Sequence, residues 1–122
     1  MRKTILFLII ACLAVTPLFA TTKSQRAYND ATRLASLLHD VNSSANVTMS
    51  DTTWRTISNE ANTLANRVYA NTNGTTRTAA RDARMHVREM RASAIKGDAN
   101  GARQHAALAM PFVHTVINAT AK

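Results

Sequence analysis

Apolar residues recur along this chain at alternating intervals of four and three, in four separate blocks. The first block gives Ala27, Ala31, Leu34, Leu38 and Val41, and the second Trp54, Ile57, Ala61, Leu64 and Val68. The third gives Ala80, Ala83, Val87, Met90 and Ala94, and the fourth Ala102, Ala106, Ala109, Val113 and Val116. Each set lines one side of a 3.6-residue helix, and no alternation of apolar and polar residues competes for a strand. The blocks are separated by the polar stretch from Asn42 to Asp51, by Asn71-Thr72-Asn73-Gly74 and by Lys96-Gly97-Asp98. The pattern predicts helices over about 24–41, 51–70, 76–96 and 98–119. Ser50 or Asp51 is expected to cap the second helix, Thr75 or Thr76 the third and Asp98 the fourth, with Gly97 in the left-handed position after the third.

Short connections make sequential helices antiparallel neighbours. The expectation is therefore an all-α, antiparallel up-down-up-down four-helix bundle over residues 21–122. The alternative is a pair of helical hairpins that bury their stripes by dimerising, so monomer and homodimer are both open. Nine of the 20 stripe positions are alanine. Such a core either lets backbones approach closely or leaves a hollow that could take a ligand, and the sequence alone does not choose.

Residues 1–20, MRKTILFLIIACLAVTPLFA, place Arg2 and Lys3 ahead of an apolar run that ends at Pro17 and a small residue at Ala20. This is the pattern of a signal peptide cleaved after Ala20, and it predicts an exported protein, periplasmic or secreted. Ile9-Ile10-Ala11-Cys12 also offers a lipobox, in which Cys12 would carry a lipid anchor. Cys12 is the single cysteine, which excludes an intramolecular disulfide framework and a cysteine-only metal site. Export without cysteine suits a bacterial periplasm or cell surface.

The run Glu89-Met90-Arg91-Ala92-Ser93-Ala94, leading through Gly97-Asp98 into Gly101-Ala102, resembles exported four-helix-bundle proteins of the soluble b-type cytochrome class. That resemblance implies the same bundle fold. Proteins of that class hold haem between a Met near the start of the first helix and a His near the end of the last. Here the first helix has no Met, His114 is the candidate at the other end, and the covalent-haem motif CxxCH is absent, so the ligand pair is incomplete. No cofactor is expected on these grounds.

Charge supplies the second strong signal. The chain carries 15 Lys+Arg against 7 Asp+Glu, a formal net charge of +8. Five of the cations, Arg77, Arg81, Arg84, Arg88 and Arg91, repeat the four-three spacing one residue beyond the third apolar stripe. One residue is about 100° around a helix, so the row is expected to face outward along about 20 Å of helix. Asp82 and Glu89 lie outside one-turn spacing of the row. A merely solvated face would therefore be neutralised by acids of neighbouring helices, such as Glu60, Asp30 or Asp40. A functional face would contact a polyanion in the envelope, either lipid phosphate or polysaccharide, or an acidic protein, because the guanidinium fork binds phosphate bidentately. Nucleic acid fits less well, since no aromatic residues interleave the row for base stacking.

His86 and Met90 are four residues apart, as are Met110 and His114. A hairpin turning near Gly97-Asp98 sets His86 level with Met110 and brings Met90 near His105 or Ala106. Imidazole with thioether suits soft copper, so His86, Met90, Met110 and His114 are the candidate metal residues. There is no HExxH, no paired Glu-x-x-His, no nucleophile elbow and no phosphate-cradling glycine loop, and an enzyme is not expected. The sequence thus predicts a small exported, non-enzymatic helical binding or structural protein that uses its arginine row on a polyanion or acidic partner. The alternative is a periplasmic carrier of copper, haem or a small apolar ligand within the bundle.

Overall fold

A computed structural model describes residues 22–43 and 51–121. Residues 1–20, where the signal peptide and Cys12 lipidation are expected, and the expected Ser50 cap lie outside them. The described residues form four helices, α1 (Lys23–Asn42), α2 (Asp51–Ala70), α3 (Gly74–Ile95) and α4 (Ala99–Thr120), with no strand among them. The helices pack in a ring. α1 lies against α2 and α4, and α3 lies against the same two, while the diagonal pairs do not meet.

Local chemistry sets the helix ends. The Thr22 hydroxyl accepts the Gln25 amide hydrogen bond at 3.1 Å and caps α1, satisfying one of the donors a helix start leaves open. α3 begins at Gly74, earlier than Thr75 or Thr76 would cap it. Gly74 takes a φ of 59°, and the Asn73 carbonyl accepts the Arg77 amide at 3.2 Å. The two threonines therefore lie inside the first turn rather than ahead of it.

The α3–α4 connection is only three residues long, from Lys96 to Asp98. Gly97 adopts a φ of 80°. Its amide bonds to the Ala94 carbonyl at 3.1 Å, and the Asp98 amide bonds to the Ser93 carbonyl at 2.9 Å. This is the paired closure of a left-handed helix stop, which glycine adopts without strain. The Asp98 carboxylate then turns to α4 and accepts the Gly101 amide at 2.9 Å. A side chain at Gly101 would drive its Cβ into Asp98 Oδ2 and place it 2.9 Å from Ser93 Oγ. One residue thus ends α3, the next starts α4, and Gly101 leaves room for both.

All but two of the stripe residues are buried. The exceptions, Ile57 and Ala94, are partly buried and pack against the same core. Beside Ile57, Ser58 is fully buried, because a strict four-three repeat drifts around a straight helix. Leu37, Ala65 and Ala79 widen the core. α3 and α4 make the most extensive contact of the bundle, and they carry six of the nine stripe alanines. Small side chains therefore bring two backbones together here. No described helix is long and apolar enough to cross a membrane.

Candidate functional site

The arginine row does not face outward as a unit. Arg77 and Arg84 both place their guanidinium groups over the Tyr69 ring of α2, at 4.3 and 3.9 Å from its centroid. Arg91 donates from Nε to the Asn59 side-chain oxygen of α2 at 2.8 Å. Arg84 and Arg91 are accordingly half-buried. These three residues are spaced by seven, and a long side chain at that repeat leans onto the neighbouring helix while its charged head stays near water. Stacking on Tyr69 offsets part of the repulsion within the row.

Arg81 and Arg88 are exposed. Arg81 reaches Asp82, its sequence neighbour, at 3.4 Å. Among the described residues no acid of another helix pairs with the row. Glu60 is held by Arg33 at 2.7 Å, and Asp30 by Arg67 at 2.8 Å. Asp40 is exposed on α1. The expected cross-helix neutralisation therefore goes to arginines of α1 and α2. Arg81, Arg84, Met85, Arg88 and Glu89 line a shallow surface groove of about 330 Å³, and Met85 is an exposed apolar residue between two exposed cations.

The expected metal residues separate. Met90 is fully buried in the core, Met110 is half-buried against it, and His114 is exposed. His86 faces other partners. Its ring stacks on Phe112 at 5.8 Å and 13° and on His105 at 6.2 Å and 25°. His105 Nδ1 lies 3.0 Å from Glu89 Oε2. One ligand atom each from His86, Glu89 and His105 lies within 4.8 Å of the others. The Nδ1 atoms of both histidines are buried and make no hydrogen bond within the protein. The short His105–Glu89 separation therefore does not run along an N–H direction.

Glu89, His105 and Tyr69 are the residues that reading the sequence alone leaves out. For Glu89 and His105 the signal was present. His86 and Glu89 are three apart and share a side of α3, and the hairpin register already brings His105 within a turn of Met90. Tyr69 carries no such mark, because it lies on α2 and meets the arginines only once the bundle is assembled. Against known proteins, the chain matches no protein-family model, no curated protein and no solved structure.

Proposed function

We propose that this is an exported, non-enzymatic helical protein that docks on an anionic envelope surface through the outer side of α3. The observation that carries this reading is the groove at Arg81, Met85 and Arg88. Two exposed guanidinium groups stand two helical turns apart, about 10 Å, on either side of an exposed thioether. Glu60 and Asp30, two of the acids that could have neutralised them, are already paired with Arg33 and Arg67. Guanidinium groups suit phosphate, and an apolar side chain between them suits a lipid headgroup region better than a polysaccharide. Export rests on the leader pattern of residues 1–20.

The proposed topology is antiparallel, up-down-up-down. Asp30–Arg67 and Arg33–Glu60 run in opposite chain directions, and so do Asn59–Arg91 and Tyr69–Arg77. These cross-links support that order for α1–α2 and α2–α3.

Co-sedimentation with vesicles tests the function. The protein is expected to bind phosphatidylcholine vesicles that contain phosphatidylglycerol, and not phosphatidylcholine alone. Binding should fall as salt shortens the Debye length to about 8 Å. A basic residue near an anionic leaflet contributes about 1 kcal/mol, so Arg81→Gln with Arg88→Gln should lower partitioning about 30-fold. Both side chains are exposed, so the melting temperature should hold. Absent binding at low salt, or full binding by the double variant, would overturn the reading.

A further inference from the structure

We propose that His86, Glu89 and His105 form a binding site for a borderline divalent metal ion of the Zn²⁺ type. The site stands independently of the anionic-surface reading, and it shares only His86 with the His86, Met90, Met110 and His114 set. Its donors are two imidazoles and a carboxylate, one ligand atom from each within 4.8 Å of the others. α3 supplies His86 and Glu89 from adjacent turns, and the closed Ser93–Asp98 turn returns α4 so that His105 lies beside them. The site thus rests on two helices joined by a short, hydrogen-bonded connection.

Three observations favour an ion over a simple ion pair. First, His86 Nδ1 and His105 Nδ1 are buried without a hydrogen bond inside the protein. Burying an imidazole nitrogen unpaired, as at His86, is unfavourable, and a metal bond removes that penalty. Second, His105 Nδ1 and Glu89 Oε2 are 3.0 Å apart but not in line for a hydrogen bond. Bonds of about 2.0–2.2 Å to one tetrahedral ion set neighbouring donors about 3.3 Å apart. That pair is already close to such spacing, and small side-chain rotations bring the third donor in. Third, Phe112 stacks on the His86 ring and holds its plane, while the Glu89 side chain is 50% exposed and free to turn inward.

The donor set also selects the class of ion. Two nitrogens and one oxygen suit Zn²⁺ and its borderline neighbours. Soft Cu(I) wants sulfur, and of the two thioethers adjacent in sequence Met90 is buried in the core while Met85 lies exposed among the arginines of the groove. Three protein ligands leave a fourth position for water, the arrangement of an open, exchangeable site rather than a closed structural one.

Calorimetric titration of the chelator-stripped full chain with ZnCl₂, read together with the visible absorption of Co²⁺, tests the site. One Zn²⁺ per chain should bind with micromolar affinity, and Co²⁺ should develop intense tetrahedral bands. Glu89→Gln changes a half-exposed side chain, so it should fold normally and bind about tenfold or more weakly. His105→Gln should abolish binding, and His114→Gln should leave it intact. No heat and no Co²⁺ bands with the wild type would overturn the proposal. So would undiminished binding by Glu89→Gln, or a loss that follows His114→Gln instead. If His105→Gln fails to fold, the Glu89→Gln result decides.

Discussion

Two ion pairs join α1 to α2, and burial makes them unequal. Arg33 and Glu60 are 61% and 37% exposed along their side chains, whereas Asp30 is 11% exposed beside an Arg67 that is 59% exposed. An exposed pair contributes little, because water screens it and two long side chains must be held still. A buried carboxylate that loses its cation keeps its desolvation penalty. Arg67→Gln should therefore destabilise the protein by about 1–3 kcal/mol, and Arg33→Gln by less than about 1 kcal/mol, compared by urea denaturation. Equal costs would mean that Asp30 is hydrated in solution. The same contrast between charge and reach explains what the arginine row concealed. Spacing fixes the angle at which each Cα leaves α3, but a guanidinium group ends several bonds away. Arg77, Arg84 and Arg91 use that reach to lean on Tyr69 and Asn59, whereas Arg81 and Arg88 stay out. Both groups repeat every seven residues, so spacing alone does not say which of them meets a neighbouring helix.

Alanine decides how closely α3 and α4 approach. Ala80 and Ala83 face the same interior as Ala102, Ala106 and Ala109, all of them buried. A close approach and a hollow predict opposite responses to added volume. Ala106→Leu should overpack the contact and destabilise the fold by about 1–3 kcal/mol, measured by thermal melting. A rise in melting temperature would reveal space that the extra methyl groups fill. The helices themselves were legible in the sequence, because burial on one side demands a 3.6-residue period and little else produces it. Gly97 and Asp98 were legible for the same kind of reason, since a left-handed stop and a carboxylate cap each require particular residue types. The start of α3 was not, because Gly74 and Asn73 begin that helix through backbone geometry rather than a capping hydroxyl. The candidate metal site was half legible: His86 was singled out, but its companions depend on which faces of α3 and α4 meet. The four-three repeat gives the buried side and leaves the flanks to packing.

At the scale of the whole molecule, the ring of contacts closes through α1 and α4. Thr22, Ser24, Gln25, Tyr28 and Asn29 from the beginning of α1 line one groove together with Thr120 and Ala121 from the end of α4. The two ends of the described chain therefore emerge side by side, and no helix is special for being first or last. A circularly permuted gene makes this concrete. Joining Ala121 to Thr22 through a short glycine-serine bridge and opening the chain between Thr72 and Asn73 keeps every helix and every helix–helix contact. Thr72 stays with α2, where its hydroxyl bonds to the Tyr69 carbonyl, and Asn73 stays with α3. The permutant should show the circular dichroism of the parent and melt within a few degrees of it. A permutant that fails to fold would mean that the α2–α3 turn must form early and intact. Where the order of elements can be rotated in this way, either end can carry a fusion partner or a tether, and the exposed side of α3 with Arg81 and Arg88 stays away from both.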